Sequence, residues 1–254
     1  MAFQGKVVFI TGAGSGMGRL AARRLAAAGA QVAALDRNLA GVEETAEHHP
    51  GIHPWPLDVT DRSAVDAAVA RTEQELGPID RVMSAAGIMP TARVLEQDPA
   101  EIHRVMAINY TGSVHVALAT FPRLLARGRG DFVQFASASA LTPNLHYAAY
   151  SSSKHAIAIF TEILWQENRG RGVRVACVCP GAVDTPLLDQ ASPRTKVVRT
   201  ASLIPPERVL DDIERCLEQG RFWVFGTWQS RAGWYLRRFT PRLMWWINHR
   251  IEGE

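Results

Sequence analysis

Tyr150 and Lys154 are the side chains of this sequence whose types and spacing most directly suggest chemistry. On a helix, residues four apart lie one above the other on the same face. An ammonium group close to a phenol favours the phenolate and lowers the phenol pKa from about 10 towards neutral pH. Ser137 lies thirteen residues before Tyr150, near the end of an expected strand, and could present its hydroxyl to the same oxygen. Together the three residues predict a site for general acid–base catalysis.

Residues 11–18, Thr-Gly-Ala-Gly-Ser-Gly-Met-Gly, strengthen this interpretation, because a Tyr-x-x-x-Lys spacing alone also occurs by chance on helix surfaces. They separate a short apolar run from an alanine- and leucine-rich run, which is the strand–turn–helix context of a dinucleotide site. In that context the glycines let the backbone approach a pyrophosphate. The helix N-terminus then supplies N–H groups and a positive dipole.

Asp36 ends the expected second strand, eighteen residues after Gly18. A carboxylate at this position accepts hydrogen bonds from the adenosine ribose hydroxyls and repels a 2′-phosphate, which favours NAD(H) over NADP(H). Arg37 provides the alternative, because a guanidinium could hold that phosphate. An ordinary solvated charge at a strand end is the other interpretation of Asp36.

The order of apolar and amphipathic segments indicates how these residues are positioned. Strand-like and helix-like runs alternate, which predicts an α/β fold: a Rossmann-like doubly wound parallel sheet of about seven strands with helices on both faces. Strands are expected at 6–10, 31–35, 52–57, 79–84, 131–136 and 173–179. Helices are expected at 16–28, 39–48, 61–76, 99–125 and 148–169. No linker or internal repeat divides the chain, so we expect one domain over residues 1–254.

Charge and cysteine content exclude several functional classes. The chain has 28 basic and 25 acidic residues, a balance unlike that of a general nucleic-acid binder. Cys177, Cys179 and Cys216 are too few for a disulfide framework, and the Cys-x-Cys pair has no nearby histidine, so we expect buried thiols and no metal site. The odd cysteine count, with no leader-like segment and no apolar run of about 20 residues, favours a cytoplasmic protein.

Taken in order, these motifs resemble the short-chain dehydrogenase/reductase family, in its short single-domain branch, over residues 5 to about 225. The resemblance rests on Thr-Gly-x-x-x-Gly-x-Gly at 11–18, Asp-Val at 58–59, Asn-x-x-Gly at 109–112, the serine, tyrosine and lysine at 137, 150 and 154, and Pro-Gly-x-x-x-Thr at 180–185.

The resemblance implies reversible hydride transfer between a nicotinamide dinucleotide and a secondary alcohol or ketone. Tyr150 would exchange the hydroxyl proton, Lys154 would lower the Tyr150 pKa and bind the nicotinamide ribose, and Ser137 would hold the substrate oxygen. Asn109 would anchor a water that passes protons from Lys154 to solvent; the alternative is a core asparagine that kinks its helix. The cofactor contacts implied by the resemblance are Gly12, Ser15, Gly16, Met17, Gly18, Asp36, Arg37, Asp58, Val59, Ala85, Gly87, Tyr150, Lys154, Pro180, Gly181, Val183 and Thr185.

The sequence departs from the family pattern in two places. The family's Asn-Asn-Ala-Gly is Ser-Ala-Ala-Gly at 84–87, which we expect to affect stability or cofactor affinity more than chemistry. The usual Ser-Ser is Ala136-Ser137, and the glycine three positions later is Ala140. Ser139 competes for the serine role but lacks the family spacing. Tyr147 competes with Tyr150, but the residue four positions after it is Ser151 rather than lysine.

Residues 186–204 are expected to form a mobile substrate loop, because they have mixed composition and follow a strand's carboxyl end. Leu187 and Leu188 would line an apolar cleft with Met89 and Leu141, which suggests a lipophilic alcohol or ketone as substrate. The loop also carries a basic run at 194, 196 and 199. His146 could contact substrate, although a loop histidine is more often part of the surface.

The tail at 227–254 contains four of the seven tryptophans and five arginines, with no acidic residue before Glu252. Leu243, Trp246, Ile247 and Ile251 fall on one helical face, and a proline at 241 suits the first turn. Such a helix could pack across the active-site entrance or a neighbouring subunit, or could contact a membrane surface peripherally. By analogy with the family we expect a homotetramer or homodimer formed through helices 99–125 and 148–169.

The sequence leaves open three alternatives to an NAD-dependent oxidoreductase. The first is an NADP-dependent carbonyl reductase of the same fold. The second is a non-catalytic dinucleotide-binding sensor, which would not need to keep Ser137, Tyr150 and Lys154 together. The third is a peripheral membrane protein in which the tail is the main functional part.

Overall fold

One parallel sheet forms the centre of the protein in the computed structural model, which describes residues 3, 5–142, 144–191, 195–200 and 202–253. Its strands are β1 (Val7–Thr11), β2 (Gln31–Asp36), β3 (Ile52–Pro56), β4 (Arg81–Ser84), β5 (Gly130–Phe135), β6 (Val173–Val178) and β7 (Trp223–Val224). They lie side by side in the order β3-β2-β1-β4-β5-β6-β7, and every pairing is parallel. The strand order reverses between β1 and β4, so a crevice for ligands is expected at the carboxyl ends of these two strands.

Helices cover both faces of this sheet. They are α1 (Gly16–Ala27), α2 (Leu39–Ala46), α3 (Arg62–Glu75), α4 (Pro99–Met106), α5 (Gly112–Arg127), α6 (Ala148–Glu167), α7 (Lys196–Thr200), α8 (Pro206–Glu218), α9 (Trp228–Phe239) and α10 (Pro241–Glu252). Within the described residues, this arrangement confirms the expected Rossmann-like α/β fold.

The core follows from the two-residue period of the buried strands. In β1, Val7 and Phe9 pack with side chains of α3, α5 and α6, whereas Val8 and Ile10 pack with side chains of α1, α2 and α8. β1 is therefore apolar from Val7 to Ile10, as its sequence indicates. The thiols of Cys177 and Cys179 belong to this core, as expected.

The expected elements agree with the structure to within about two residues, with two exceptions. The first concerns elements that were not predicted from the sequence: the two-residue strand β7 and the helices α7, α8 and α9. The second is the helix expected at 99–125, which is wrong as a continuous α-helix: residues 107–111 form a π-helical turn between α4 and α5. The prolines at 54 and 56 are compatible with β3 because that strand lies at the edge of the sheet.

A buried ion-pair network lies at the amino ends of the central strands. The Arg81 side chain is fully buried and contacts Asp131 at 2.7 Å and also Glu214. Asp131 accepts a second ion pair from Arg174, at 2.7 Å. Because a buried charge without a partner is costly, this network ties β4, β5, β6 and α8 together at the end of the sheet opposite the carboxyl ends.

Candidate active site

A cleft of about 580 Å³ follows the carboxyl ends of the strands. It is bounded by the loop between β1 and α1 at one end and by Ser137 and Tyr150 at the other. Every residue that the resemblance implies as a cofactor contact lines this one cleft: Gly12, Ser15, Gly16, Met17, Gly18, Asp36, Arg37, Asp58, Val59, Ala85, Gly87, Tyr150, Lys154, Pro180, Gly181, Val183 and Thr185.

The glycine loop fits a pyrophosphate. Gly12 has φ +71° and Gly16 has φ +50°, a backbone region that favours glycine. A Cβ atom on Gly18 would lie 2.1 Å from the carbonyl oxygen of Gly12, so only glycine allows this approach of helix and loop. The first turn of α1 holds no acidic residue, and Ser15 before it makes no side-chain cap within the described part of the chain. The N–H groups at this helix end therefore face the cleft as an anion-binding site.

Asp36 lies beside this loop at the end of β2. Its carboxylate accepts hydrogen bonds from the backbone N–H of Gly14 at 3.1 Å and of Asn38 at 2.9 Å. These bonds fix the carboxylate at the cleft wall and leave further lone pairs free in principle for hydroxyl donors. Arg37 also lines the cleft, so the structure retains both groups on which the choice between NAD and NADP depends.

The next part of the wall comes from the ends of β3 and β4. Asp58 accepts hydrogen bonds from the backbone N–H and the hydroxyl of Thr60, at 2.9 and 2.7 Å, which fix its orientation. At the family's Asn-Asn-Ala-Gly position, the backbone of Ala85 donates to the carbonyl of Thr11 at 3.2 Å. A Cβ on Gly12 would lie 2.7 Å from the carbonyl carbon of Ala85. Main-chain contacts thus hold this wall without the amide side chains of the family pattern.

Ser137, Tyr150 and Lys154 meet at the other end of the cleft. Tyr150 is 5% exposed and Lys154 is 4% exposed, and both project from α6. The Ser137 side chain lies near enough to Tyr150 to lower the pKa of its phenol. The Lys154 ammonium donates a 2.8 Å hydrogen bond to the carbonyl of Phe135 and lies 5.8 Å from the centre of the Tyr150 ring. The structure therefore brings all three predicted residues together.

Burial controls the proton affinities at this end of the cleft. It raises the pKa of Tyr150 to about 12, although the Ser137 side chain acts in the opposite direction. Burial also lowers the pKa of Lys154 to about 8, because the charged ammonium loses its hydration. The surroundings of the phenol thus raise its pKa, and the lowering of that pKa by Lys154 stays a prediction. Tyr150 therefore holds its proton at neutral pH.

Asn109 is fully buried in the π-helical turn and does not line the cleft. Its side-chain oxygen accepts from the N–H of Ile88 at 2.8 Å, and its amide donates to the carbonyl of Ile88 at 3.0 Å and to the hydroxyl of Ser153 at 3.0 Å. Through these bonds it links the wall after β4 to α6. This geometry agrees with the alternative of a core asparagine at a helix irregularity, and its role in a proton relay stays a prediction.

Apolar side chains surround the reactive end. Met89 and Leu188 pack with Tyr147 and Tyr150 in a small buried cluster, and Leu187 packs against it. The backbone N–H of Met89 donates to the side chain of Gln190 at 2.9 Å, which holds the 186–190 segment over the cleft.

Several residues expected near the substrate lie elsewhere. His146 does not line the cleft; its backbone has φ +69°, and its carbonyl accepts from the N–H of Ala92 at 3.0 Å. Leu141 packs against the core rather than lining the cleft. In the basic run, Lys196 and Arg199 belong to α7, and Arg194 lies outside the described residues. The segment after β6 is therefore partly helical rather than a plain loop.

The C-terminal helices contribute cleft residues that the sequence did not reveal. These are Gln229, Ser230 and Gly233 of α9 and Met244 and Asn248 of α10. A Cβ on Gly181 would lie 3.1 Å from the Ser230 hydroxyl, and one on Gly233 would lie 3.3 Å from Thr142, so α9 spans the cleft mouth. The i, i+4 spacing of Met244 and Asn248 was the available signal, but it does not show which neighbour the pair faces.

In the described part of the chain, no helix has the length and hydropathy required to cross a bilayer. The same residues contain no cluster of three or more metal-ligating side chains.

Comparison with known proteins places the chain in a family. A family model described as short chain dehydrogenase matches residues 6–196. The chain is 38% identical over 233 residues to 1-deoxy-11-beta-hydroxypentalenate dehydrogenase of Streptomyces avermitilis, covering 89% of this chain and 86% of that protein. It is 36% identical over 205 residues to 2-(R)-hydroxypropyl-CoM dehydrogenase of Xanthobacter autotrophicus, covering 76% and 82% of the two chains.

Solved structures share the fold. A short-chain dehydrogenase/reductase from Burkholderia phymatum in complex with NAD superimposes with a TM-score of 0.86 at 23% identity, over 96% of each chain. A 3-ketoacyl-(acyl-carrier-protein) reductase from Brucella melitensis complexed with NADH superimposes with a TM-score of 0.79 at 26% identity, over 87% of this chain and 97% of that one. Together with the family-model match and the relatives of more than 30% identity, these findings show that the chain belongs to the short-chain dehydrogenase family.

Proposed function

We propose that this protein is an oxidoreductase that transfers a hydride between NAD(H) and a lipophilic secondary alcohol or ketone, with Tyr150 as the proton donor and acceptor. The observation that carries the proposal is the single cleft, which connects an anion-binding helix end to a buried serine–tyrosine–lysine cluster. An extended cofactor bound at the first end would reach the second.

When bound, a nicotinamide dinucleotide supplies or accepts the hydride. The chain's own residues would bind and orient the reactants: the N–H groups of α1 would hold the pyrophosphate, and Asp36 would accept hydrogen bonds from the ribose hydroxyls. Ser137 donates a hydrogen bond to the substrate oxygen. Tyr150 gives its phenolic proton to that oxygen as negative charge develops there. The apolar cluster around Met89 and Leu188 excludes water from this proton transfer.

The raised pKa of Tyr150 favours ketone reduction at neutral pH. A phenol whose pKa is about 12 is protonated at pH 7 and can donate at once. Alcohol oxidation requires the phenol to lose this proton first. We therefore expect the oxidation rate to increase with pH more steeply than the reduction rate.

The preference for NAD(H) is inferred from Asp36. Its carboxylate is held rigidly beside the glycine loop, where it would repel a 2′-phosphate. The similar structures from Burkholderia phymatum and Brucella melitensis were solved with NAD and NADH, which supports this choice. Arg37 in the same wall is the observation in favour of NADPH.

The lipophilic substrate class is inferred from the wall near Tyr150. Met89, Leu187, Leu188, Val198 and Met244 all line this part of the cleft. The Streptomyces avermitilis relative is named for a hydroxylated substrate, which is compatible with an alcohol substrate here.

Two measurements test the proposal. Fluorescence titration with NADH and NADPH measures the two dissociation constants, and tighter NADH binding is expected. Absorbance assays over a panel of hydrophobic ketones and alcohols then measure turnover. Tighter NADPH binding would contradict the interpretation of Asp36, and cofactor binding without turnover of any panel member would favour the non-catalytic sensor.

We also propose that the chain self-associates through α5 and α6. Leu118, Ile159 and Ile163 on these helices are each about half exposed, and apolar side chains of this size favour burial between subunits. Light scattering should give a dimer or tetramer for the wild type and a smaller species for Ile159→Lys/Ile163→Lys. A monomeric wild type would contradict this proposal.

A further inference from the structure

The outer sides of α9 and α10 carry a concentration of exposed large apolar side chains that the fold does not cover. We call this region the tail surface. Within the described residues, every exposed large aromatic side chain lies here: Trp228, Tyr235, Phe239, Trp245 and Trp246. Leu243 and Ile251 on α10 are also exposed. An exposed patch of this kind marks an interaction site more often than chance placement.

The exposed residues of α9 form one stripe. Trp228, Tyr235 and Phe239 are spaced i, i+7 and i+11, so they lie on one side of the helix. Trp228 is 73% exposed and Phe239 is 72% exposed, and the Tyr235 and Phe239 rings stack at 6.4 Å. Arg231 and Arg238 are exposed on the border of this stripe. An aromatic stripe bordered by arginine is typical of helices that lie in a membrane interface.

The helix α10 also has an exposed outer side and an inner side that faces the protein. Met244 and Asn248 point to the cleft, whereas Leu243 and Trp246 are exposed. The face predicted from Leu243, Trp246, Ile247 and Ile251 is therefore not the face that packs on the protein. Arg250 lies over the Trp246 ring at 5.6 Å, so the outer side combines aromatic and cationic groups.

The charge of this region is predominantly positive. The helices α9 and α10 contain five arginines, and their one acidic residue is Glu252 at the end of α10. Phosphate headgroups attract arginine, at about 1 kcal/mol for each residue near an anionic surface. Tryptophan and tyrosine prefer the boundary between headgroups and acyl chains.

From these observations we propose that the tail surface docks on an anionic lipid bilayer. The aromatic side chains would enter the headgroup boundary, and the arginines would contact lipid phosphates. The helices lie on the membrane rather than cross it, since none in the described part of the chain is suited to cross it.

Charge argues against a second copy of the chain as the partner. A two-fold contact of the tail surface with itself would oppose two sets of five arginines, with only Glu252 of α9 and α10 in each copy as an acidic partner. An anionic bilayer provides the missing counter-charge.

Docking would place the cleft mouth beside the lipid, because the inner sides of the same helices line the cleft. A direct route for lipophilic substrates from the membrane to the cleft would follow, and this consequence rests on the proposed function. The docking itself does not rest on that function, so vesicle binding and enzymatic turnover can each fail without the other.

Vesicle flotation of the full chain tests the proposal. Vesicles of phosphatidylcholine alone are compared with vesicles that also contain phosphatidylglycerol. The wild type should float with the anionic vesicles and much less with the neutral ones. Arg231→Gln/Arg238→Gln should weaken the partition by about 25-fold, since about 1 kcal/mol is lost per arginine. Trp228→Ser/Phe239→Ser should weaken it by about tenfold or more.

Leu95→Ser is the matched control, because Leu95 is 99% exposed and lies outside the tail surface. It should float like the wild type, and circular dichroism should show that each variant keeps its fold. Absence of the wild type from anionic vesicles would overturn the proposal, as would arginine and aromatic variants that both partition like the wild type. A loss of subunit association in the aromatic variant without lipid binding by the wild type would assign the surface to a second copy instead.

Discussion

Replacing Lys154 by methionine should stabilise the protein at neutral pH when no dinucleotide is bound. Lys154 is 4% exposed, and burial lowers its pKa to about 8 from the ordinary value of 10.5. Methionine has a similar length and no charge to desolvate. The substitution therefore removes a cost of folding together with a group of the proposed catalytic cluster, as expected where activity and stability conflict.

The sign and size of this change in the free energy of unfolding follow from proton linkage. The folded pKa lies below the unfolded value, so the folded state binds fewer protons between pH 8 and 10.5, and stability falls as the pH decreases through this range. At 1.36 kcal/mol per pH unit, the cost at pH 7 is about 3 kcal/mol. Loss of the hydrogen bond to the Phe135 carbonyl offsets about 1 kcal/mol of the stability gained by removing the charge. The expected net gain for Lys154→Met is about 2 kcal/mol at pH 7 and close to zero or negative at pH 10.

Urea denaturation followed by circular dichroism, at pH 7 and pH 10, measures these free energies of unfolding. Lys6→Met is the matched control, because the Lys6 side chain is exposed and its removal should leave the pH dependence of the wild type unchanged. A difference between wild type and Lys154→Met that is the same at both pH values would refute the reasoning about burial. So would a variant that is less stable than the wild type at pH 7 by more than about 1 kcal/mol.

Other substitutions test the remaining parts of the structure. Asp36→Ala should weaken NADH binding by about tenfold to a hundredfold, because charge-assisted hydrogen bonds are lost, and should weaken NADPH binding much less; equal losses for both cofactors in fluorescence titrations would contradict this. Gly18→Ala should abolish NADH binding and lower the melting temperature, since its Cβ would lie 2.1 Å from the Gly12 carbonyl; unchanged binding would show that the loop is more adaptable than the structure indicates. Arg81→Met should reduce the free energy of unfolding by about 3–5 kcal/mol, because Glu214 and Asp131 lose their buried partner. A loss below about 1 kcal/mol in urea denaturation would contradict that role.

The sequence predicted those parts of the fold that depend on local pattern. The strand β1 is a continuous apolar run from Val7 to Ile10, and the glycine loop after it is recognised from the spacing of its glycines, of which Gly18 approaches Gly12. These signals lie within about twenty residues of chain, so no knowledge of the remaining fold is needed. The same is true of the Tyr150–Lys154 spacing on α6.

Other features depend on contacts between distant parts of the chain. The π-helical turn at Asn109 is held by bonds to Ile88 and Ser153, which are 21 and 44 residues away. The pKa values of Tyr150 and Lys154 depend on how completely the whole fold buries them, which a spacing rule does not contain.

The C-terminal helices are a further example. Their inner residues reach the cleft only because α9 starts directly after β7, a strand of two residues that is too short to give a sequence pattern. The tail was recognised as unusual from its composition, but its contribution of Met244 and Asn248 to the cleft required the structure.

The most direct test of the account compares wild type, Tyr150→Phe and Tyr147→Phe by NADH absorbance with any ketone or alcohol that the wild type converts. Both tyrosines are buried at the cleft, and both variants lose one phenolic oxygen, but only Tyr150 is followed by a lysine four residues later. The account predicts that Tyr150→Phe binds NADH like the wild type and loses nearly all turnover, while Tyr147→Phe keeps hydride transfer. Turnover by Tyr150→Phe at the wild-type rate would contradict it.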